Sequence, residues 1–125
     1  MKTTSFAQLN VWQTSHRVTV AIYKLTRGYP ADERYGLSSQ MRRAAVSVPA
    51  NIAEGFARRS PKDKGRFYRF ARSSAEELKD FLILSRDLEY APPSVLEPLA
   101  REVESVCRMS HRLLEVNVAS REDVF

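Results

Sequence analysis

The feature that most constrains the fold of this chain is a helical repeat of apolar residues, which recurs in four segments. The segments span residues 11–27, 37–58, 61–89 and 94–118, and in each one apolar side chains return every three or four positions. The breaks between them are two to nine residues long, and the first and third contain proline or glycine. Such short breaks favour antiparallel neighbours. The sequence therefore predicts an all-α fold, an up-down-up-down antiparallel four-helix bundle that forms one domain over residues 1–125.

The second segment carries Pro49 in its middle. Proline removes one amide donor and crowds the carbonyl of Ala45, so the segment forms either two shorter helices or one kinked helix. The apolar phase continues from Val48 to Ile52. This continuity favours one kinked helix.

The third and fourth segments begin at recognisable capping residues. Ser60 is a natural N-cap before Pro61, and Ser94 is the expected cap of the fourth helix. The third segment is predicted to turn one long apolar stripe toward the core, and this stripe includes Phe70 and Leu88.

The composition offers little support for catalysis, metal binding or membrane insertion. The chain has one cysteine and two histidines, and it lacks the glycine-rich phosphate loops of nucleotide-binding enzymes. Cys107 and His111 share a helix face, but no third partner is evident for a nucleophile pair or a metal site. We therefore predict a non-enzyme with no cofactor and no metal. The first ten residues lack a signal-peptide apolar run, and no stretch reaches 18 apolar residues, so we expect a cytoplasmic protein with no membrane partner.

Positive charge is concentrated in the middle of the chain. The formal net charge is +5, whereas the window 34–72 holds ten basic and two acidic residues, a local excess of +8. Such an excess indicates a polyanionic partner, although a solvated basic face is the alternative. Phe67 is expected to face the core, which leaves Tyr68 as the candidate for base stacking. The candidate nucleic-acid contacts are Arg34, Arg42, Arg58, Arg59, Lys62, Lys64, Arg66, Tyr68, Arg69 and Arg72.

A second pattern lies beside the apolar arc of the second helix. Polar residues recur there at helical spacing among small alanines, which is typical of a packed hydrogen-bonded seam or subunit contact more than of a solvated face. We name this set, with one glutamate of the third helix, the polar stripe; it comprises Gln40, Arg43, Ser47, Asn51, Glu54 and Glu77. Arg43 is expected to pair with Glu54 or with a neighbouring subunit.

The run YGLSSQMRRAAVSVPANIAEG, with VWQTSHR upstream, resembles the family of 23S rRNA intervening-sequence proteins. The accessory protein of diversity-generating retroelements is similar. The resemblance extends from Phe6 to about Leu113 and is most specific at residues 35–55. One departure is Ser73, where a glycine is expected, and this weakens any expectation of very close helix packing there.

The resemblance implies a four-helix bundle that assembles into a homopentamer, has no catalytic role and binds nucleic acid through a basic surface. The leading hypothesis is therefore an oligomeric bundle that binds nucleic acid, most plausibly RNA, with little sequence specificity. The alternative is a protein-interaction scaffold or adaptor, for example for a reverse transcriptase.

Overall fold

A computed structural model describes the backbone of residues 3–124 and the side chains of residues 3–118. It contains four long α-helices and no strand within that range. The helices are α1 (Asn10–Thr26), α2 (Leu37–Ala57), α3 (Pro61–Asp87) and α4 (Pro93–Val124), with short 3-10 helices at Phe6–Gln8 and Ala31–Glu33.

The four helices form an all-α four-helix bundle, as the sequence predicts. Each packs against two neighbours: α2 contacts α1 and α3, and α4 contacts α3 and α1. No diagonal pair of helices makes contact among the described residues, which is the arrangement of an up-and-down bundle. The core is filled by fully buried side chains from every helix: Ile22, Met41, Ile52, Leu78 and Val103.

Helix α2 runs without interruption through Pro49, so the single-helix interpretation is confirmed. Pro49 is itself buried in the bundle. Helix α4 begins at Pro93, one residue before the expected cap Ser94, and continues to Val124, which is beyond the predicted end at residue 118.

Helix α3 ends at Asp87, two residues before the predicted end. Glu89 has a φ of 58°, and the amide of Tyr90 donates to the carbonyl of Ser85 at 3.0 Å. This left-handed turn closes the helix and is usually made by glycine. No glycine marks this turn in the sequence, because a glutamate occupies the position.

The core face of α3 differs from the predicted stripe. Tyr68 and Ala75 are buried, whereas Phe70 and Leu88 are exposed. The expectation that Phe67 faces the core and Tyr68 faces solvent is also wrong, since Tyr68 is only 5% exposed and Phe67 is half-buried. The buried face of α3 combines Tyr68 with the small residues Gly65, Ala71 and Ala75, and this face leaves Phe67 half-buried and Phe70 exposed.

Candidate functional site

The basic residues of α3 gather where α2 ends and α3 begins. Only three residues separate these helices, so the two termini are neighbours. The Ser60 hydroxyl accepts a hydrogen bond from the amide of Asp63 at 3.1 Å, and Pro61 occupies the first turn. The sequence signals for this cap are confirmed, and the cap fixes the direction in which α3 leaves the junction.

Six exposed cations lie in this turn and along the first three to four turns of α3, and we call them the junction cluster: Arg58, Arg59, Lys62, Arg66, Arg69 and Arg72. Lys62, Arg66 and Arg69 are four and three residues apart, so they lie on one face of α3. Among the described side chains, Arg58 is the member of the cluster that forms an ion pair, with Glu54 at 2.9 Å. The other five cations have no carboxylate within ion-pair distance in the part of the chain whose side chains are described, so the cluster keeps a positive potential.

A half-buried phenylalanine orients two members of the junction cluster. The guanidinium carbons of Arg58 and Arg66 lie 4.7 and 4.9 Å from the ring centroid of Phe67. Cation–π contacts of this kind restrict the arginine side chains while leaving their N–H groups available.

Lys64 has a different role from the one predicted. Its ammonium donates to the carbonyls of Gly55 and Phe56 at 3.2 and 2.9 Å, and burial lowers its pKa. Lys64 therefore caps the C-terminal end of α2 and is turned away from solvent.

The Tyr68 ring is also not exposed at the candidate interface. Its ring packs against Gly55, and burial raises the pKa of its hydroxyl. A base cannot stack on a ring that is already covered. The neighbouring aromatic residue that is available is Phe70, which is 51% exposed and packs edge-on against Phe67 with centroids 6.2 Å apart. Sequence periodicity missed it because it assigned Phe70 to the core.

The centre of the polar stripe is a hydrogen-bonded contact between α2 and α3. The Asn51 amide donates to the Ser47 carbonyl and hydroxyl at 2.8 and 2.9 Å, and the Ser74 hydroxyl donates to the Ser47 hydroxyl at 2.8 Å. This part of the stripe is packed within one chain.

The outer part of the polar stripe remains open. Gln40, Arg43 and Glu77 are exposed and line a shallow groove of about 330 Å³ together with Ser47 and Ser74. Glu54 pairs with Arg58, so the expected Arg43–Glu54 pair does not form within the chain.

Arg34 and Arg42 lie at the opposite end of α2 from the junction cluster. Both line a groove of about 1010 Å³ between the end of α1, the second 3-10 helix and the start of α2. We call it the arginine groove, and its charged and aromatic lining residues are Tyr23, Arg27, Tyr29, Arg34, Tyr35, Arg42 and Arg43. The predicted contacts are thus divided between two separate regions.

The Cys107–His111 pair is not assembled for nucleophilic chemistry. Cys107 is buried in the core, and this burial raises the pKa of its thiol to about 12, so it is protonated at neutral pH. His111 is exposed, and its Nε2 lies 3.5 Å from Glu115. Among the described residues, no group of three histidine, cysteine, aspartate or glutamate side chains is placed to hold a metal ion. Within the same part of the chain, no helix combines the length and apolar character needed to cross a membrane.

Comparison with known proteins identifies the family. Residues 7–112 match the family model described as 23S rRNA-intervening sequence protein. A crystal structure of a protein with unknown function from the S23 ribosomal protein family of Bacteroides thetaiotaomicron VPI-5482 superposes with a TM-score of 0.75. The two sequences are 22% identical, and the match covers 83% of this chain and 97% of that chain, which shows a shared fold. No match was found among curated proteins. Because the family model covers most of its length, this four-helix bundle belongs to the 23S rRNA-intervening sequence protein family.

Proposed function

We propose that this protein is a non-catalytic nucleic-acid-binding bundle that contacts the phosphate backbone through the junction cluster, with RNA as the favoured ligand. The observation that carries the proposal is the exposure, near one helix junction, of five cations with no carboxylate partner among the side chains of residues 3–118. Backbone contacts of this type release counterions and carry little sequence information.

Exposed aromatic surface beside the cations supports the same proposal. Phe70 follows Arg69 directly and lies on α3 beyond the Arg58–Phe67–Arg66 stack. A positive surface with an adjoining aromatic ring is the usual arrangement for binding unpaired bases. Phe70, and not the buried Tyr68, is therefore the aromatic residue on which a base would stack.

We further propose that the chain forms a homo-oligomer, as the family resemblance implies, with the pentamer as the expected state. The open part of the polar stripe supports this, because Arg43 and Glu77 are opposite charges on one groove and neither has an ion-pair partner among the described side chains. Leu84, seven residues after Glu77, is exposed on the same side of α3, and the exposed Leu88 follows the end of that helix. A second copy of the chain would cover these apolar residues and supply ion-pair partners for Arg43 and Glu77.

A salt titration of RNA binding tests the nucleic-acid proposal. Fluorescence anisotropy of a labelled single-stranded RNA is measured between about 50 and 200 mM salt, where backbone-driven binding falls steeply. The variant Arg59→Gln/Lys62→Gln/Arg69→Gln should bind more weakly, and the magnitude of its slope of log K against log salt should be smaller by about 2–3.

The matched control removes the same charge elsewhere. Arg101, Arg108 and Arg112 are exposed on α4, and their simultaneous change to Gln should leave the slope near that of the parent. Equal slopes for the two variants would contradict the junction cluster as the binding surface. That result would favour the scaffold alternative, in which a protein partner binds these cations. A pull-down with and without nuclease would then identify a protein partner that remains bound after nuclease treatment.

A further inference from the structure

The arginine groove is a second, concave region of positive charge, and its residues are not part of the junction cluster. It is open at the surface, and its volume of about 1010 Å³ is at the upper end of the range for small-molecule sites. Its lining contains four arginines and no aspartate or glutamate. A groove with this lining has the chemistry to bind an anion.

The four arginines of this groove have no internal counter-ion. Among the described side chains, none of them lies within ion-pair distance of a carboxylate. Asp32 and Glu33 are close in sequence but do not line the groove. Glu33 is held elsewhere, since it accepts hydrogen bonds from the Tyr90 hydroxyl at 2.8 Å and the Leu37 amide at 3.2 Å. Arg43 also lines the groove that contains Glu77, whereas the positive charge of Arg27, Arg34 and Arg42 is uncompensated among the described side chains.

Arg42 is already fixed in position at the groove wall. Its Nε donates to the Thr26 hydroxyl at 2.8 Å, its Nη2 donates to the Tyr23 carbonyl at 3.3 Å, and its guanidinium lies 4.7 Å from the Tyr23 ring centroid. A guanidinium has five N–H donors, so three remain for a ligand. An arginine ordered before binding loses less entropy when it meets a phosphate.

The groove also presents an aromatic ring to solvent. Tyr35 is 87% exposed, and the guanidinium of Arg34 lies 5.5 Å from its ring centroid. An exposed ring next to an arginine provides a flat surface on which a base can stack. No other aromatic side chain of the described residues covers that ring.

We propose that the arginine groove binds unpaired nucleotides of a single-stranded nucleic acid, with a phosphate against Arg27, Arg34 and Arg42 and a base on Tyr35. This inference rests on the proposed function and adds the class of ligand. The bases of a duplex are stacked on one another, so only an unpaired base can stack on the Tyr35 ring. Tyr35 precedes the 21-residue helix α2 and Arg58 follows it, so these two residues lie about 30 Å apart along the helix.

Short oligonucleotides separate the two sites. A single-stranded RNA of about five nucleotides and a duplex RNA are titrated into the parent, Tyr35→Ala, Tyr35→Phe and Arg34→Gln. Tyr35→Ala should weaken single-strand binding about 5- to 100-fold, which is the range expected for one stacked base, and should leave duplex binding unchanged. Tyr35→Phe keeps the ring and should bind as the parent does. Arg34→Gln should weaken the single-stranded ligand and reduce the magnitude of its salt slope by about 1.

Arg101→Gln is the matched control, since it removes one exposed arginine from α4 and should leave both ligands unaffected. If the parent binds both ligands and Tyr35→Ala and Arg34→Gln bind like Arg101→Gln, the groove proposal is wrong while the proposed function stands. If the parent binds neither ligand, the proposed function is rejected and the groove proposal with it. If Tyr35→Ala alters the oligomeric state and leaves single-strand affinity unchanged, the groove is a subunit contact and the proposal is overturned.

Discussion

At the scale of single residues, Gly55 sets the distance between α2 and α3. A β-carbon built at this position would lie 2.5 Å from Cε1 and 2.7 Å from Cδ1 of the buried Tyr68 ring. The ring is rigid, so an added methyl group would push the helices apart. We expect Gly55→Ala to reduce the free energy of unfolding by about 1–3 kcal/mol in urea denaturation, despite the higher helix propensity of alanine.

Gly28→Ala is the control for this substitution. A β-carbon at Gly28 meets nothing closer than the Leu25 carbonyl at 3.6 Å, and its backbone has no positive φ. We expect no loss of stability there. Equal stability of Gly55→Ala and the parent would show that Tyr68 moves freely and that the close approach is not required.

The Glu33–Tyr90 hydrogen bond makes stability depend on pH. The hydrogen bond from the Tyr90 hydroxyl, and then that from the Leu37 amide, lower the pKa of Glu33 below its ordinary value of about 4.5. A carboxyl with a lowered folded-state pKa contributes stability above pH 4.5, and this contribution is lost as pH falls through the folded-state value. Tyr90→Phe should therefore be less stable than the parent at neutral pH, and the difference should shrink in acid.

Urea denaturation at neutral pH and well below pH 4.5 measures this difference. Tyr35→Phe is the control because its hydroxyl is exposed and has no hydrogen bond among the described residues. A stability difference for Tyr90→Phe that is the same at both pH values would exclude the Glu33 carboxylate as its cause.

At the scale of helices, Lys64 connects the end of α2 to the start of α3. Its ammonium is a second donor to the Gly55 carbonyl, which also accepts from the Arg58 amide, and it donates to the Phe56 carbonyl in the last turn of α2. We expect Lys64→Met to lower the free energy of unfolding by about 1 kcal/mol, whereas Lys62→Met, at an exposed position nearby, should have little effect on stability. Thermal or urea denaturation of the two variants measures this; equal effects would contradict a capping role for Lys64.

The existence and order of the helices could be predicted from the sequence because apolar spacing and proline breaks are local signals. The rotation of α3 could not, since periodicity gives weight to Phe70 and little weight to Gly65 or Ala75. In the folded bundle, α3 packs closely against α2, so Gly65 and Ala75 are buried and Phe70 is exposed. The end of α3 was also missed because Glu89 adopts a left-handed conformation without the glycine that usually marks it.

The residue types of the candidate site could be predicted from the sequence, but their arrangement in space could not. The excess of cations is visible in the sequence, but the capping role of Lys64 and the fixed position of Arg42 depend on contacts with residues 8–19 positions away. The arginine groove also includes Tyr23 of α1 and Arg27, which directly follows α1, and both lie outside the basic window. Only the folded bundle brings these residues together.

At the scale of the whole molecule, we expect an oligomer whose contacts use the α3 face that carries Leu84. Light scattering should report a mass well above the 14.3 kDa of one chain, near 72 kDa for five copies. Leu84→Asn should shift the protein toward smaller species, because it replaces an exposed apolar side chain beside the open groove. Ile83→Asn is the control, since Ile83 is equally exposed but points about 100° away around α3. A monomer at all micromolar concentrations would contradict this expectation.

Photo-crosslinking of a thiouridine-substituted single-stranded RNA to the parent protein tests the central claim most directly. Mass spectrometry of the linked peptides locates the RNA on the chain. We predict crosslinks in the peptide that contains Phe70 and in the peptide that contains Tyr35, both reduced as salt rises. Crosslinks confined to α4, or none at low salt, would contradict nucleic-acid binding by the basic surfaces of this bundle.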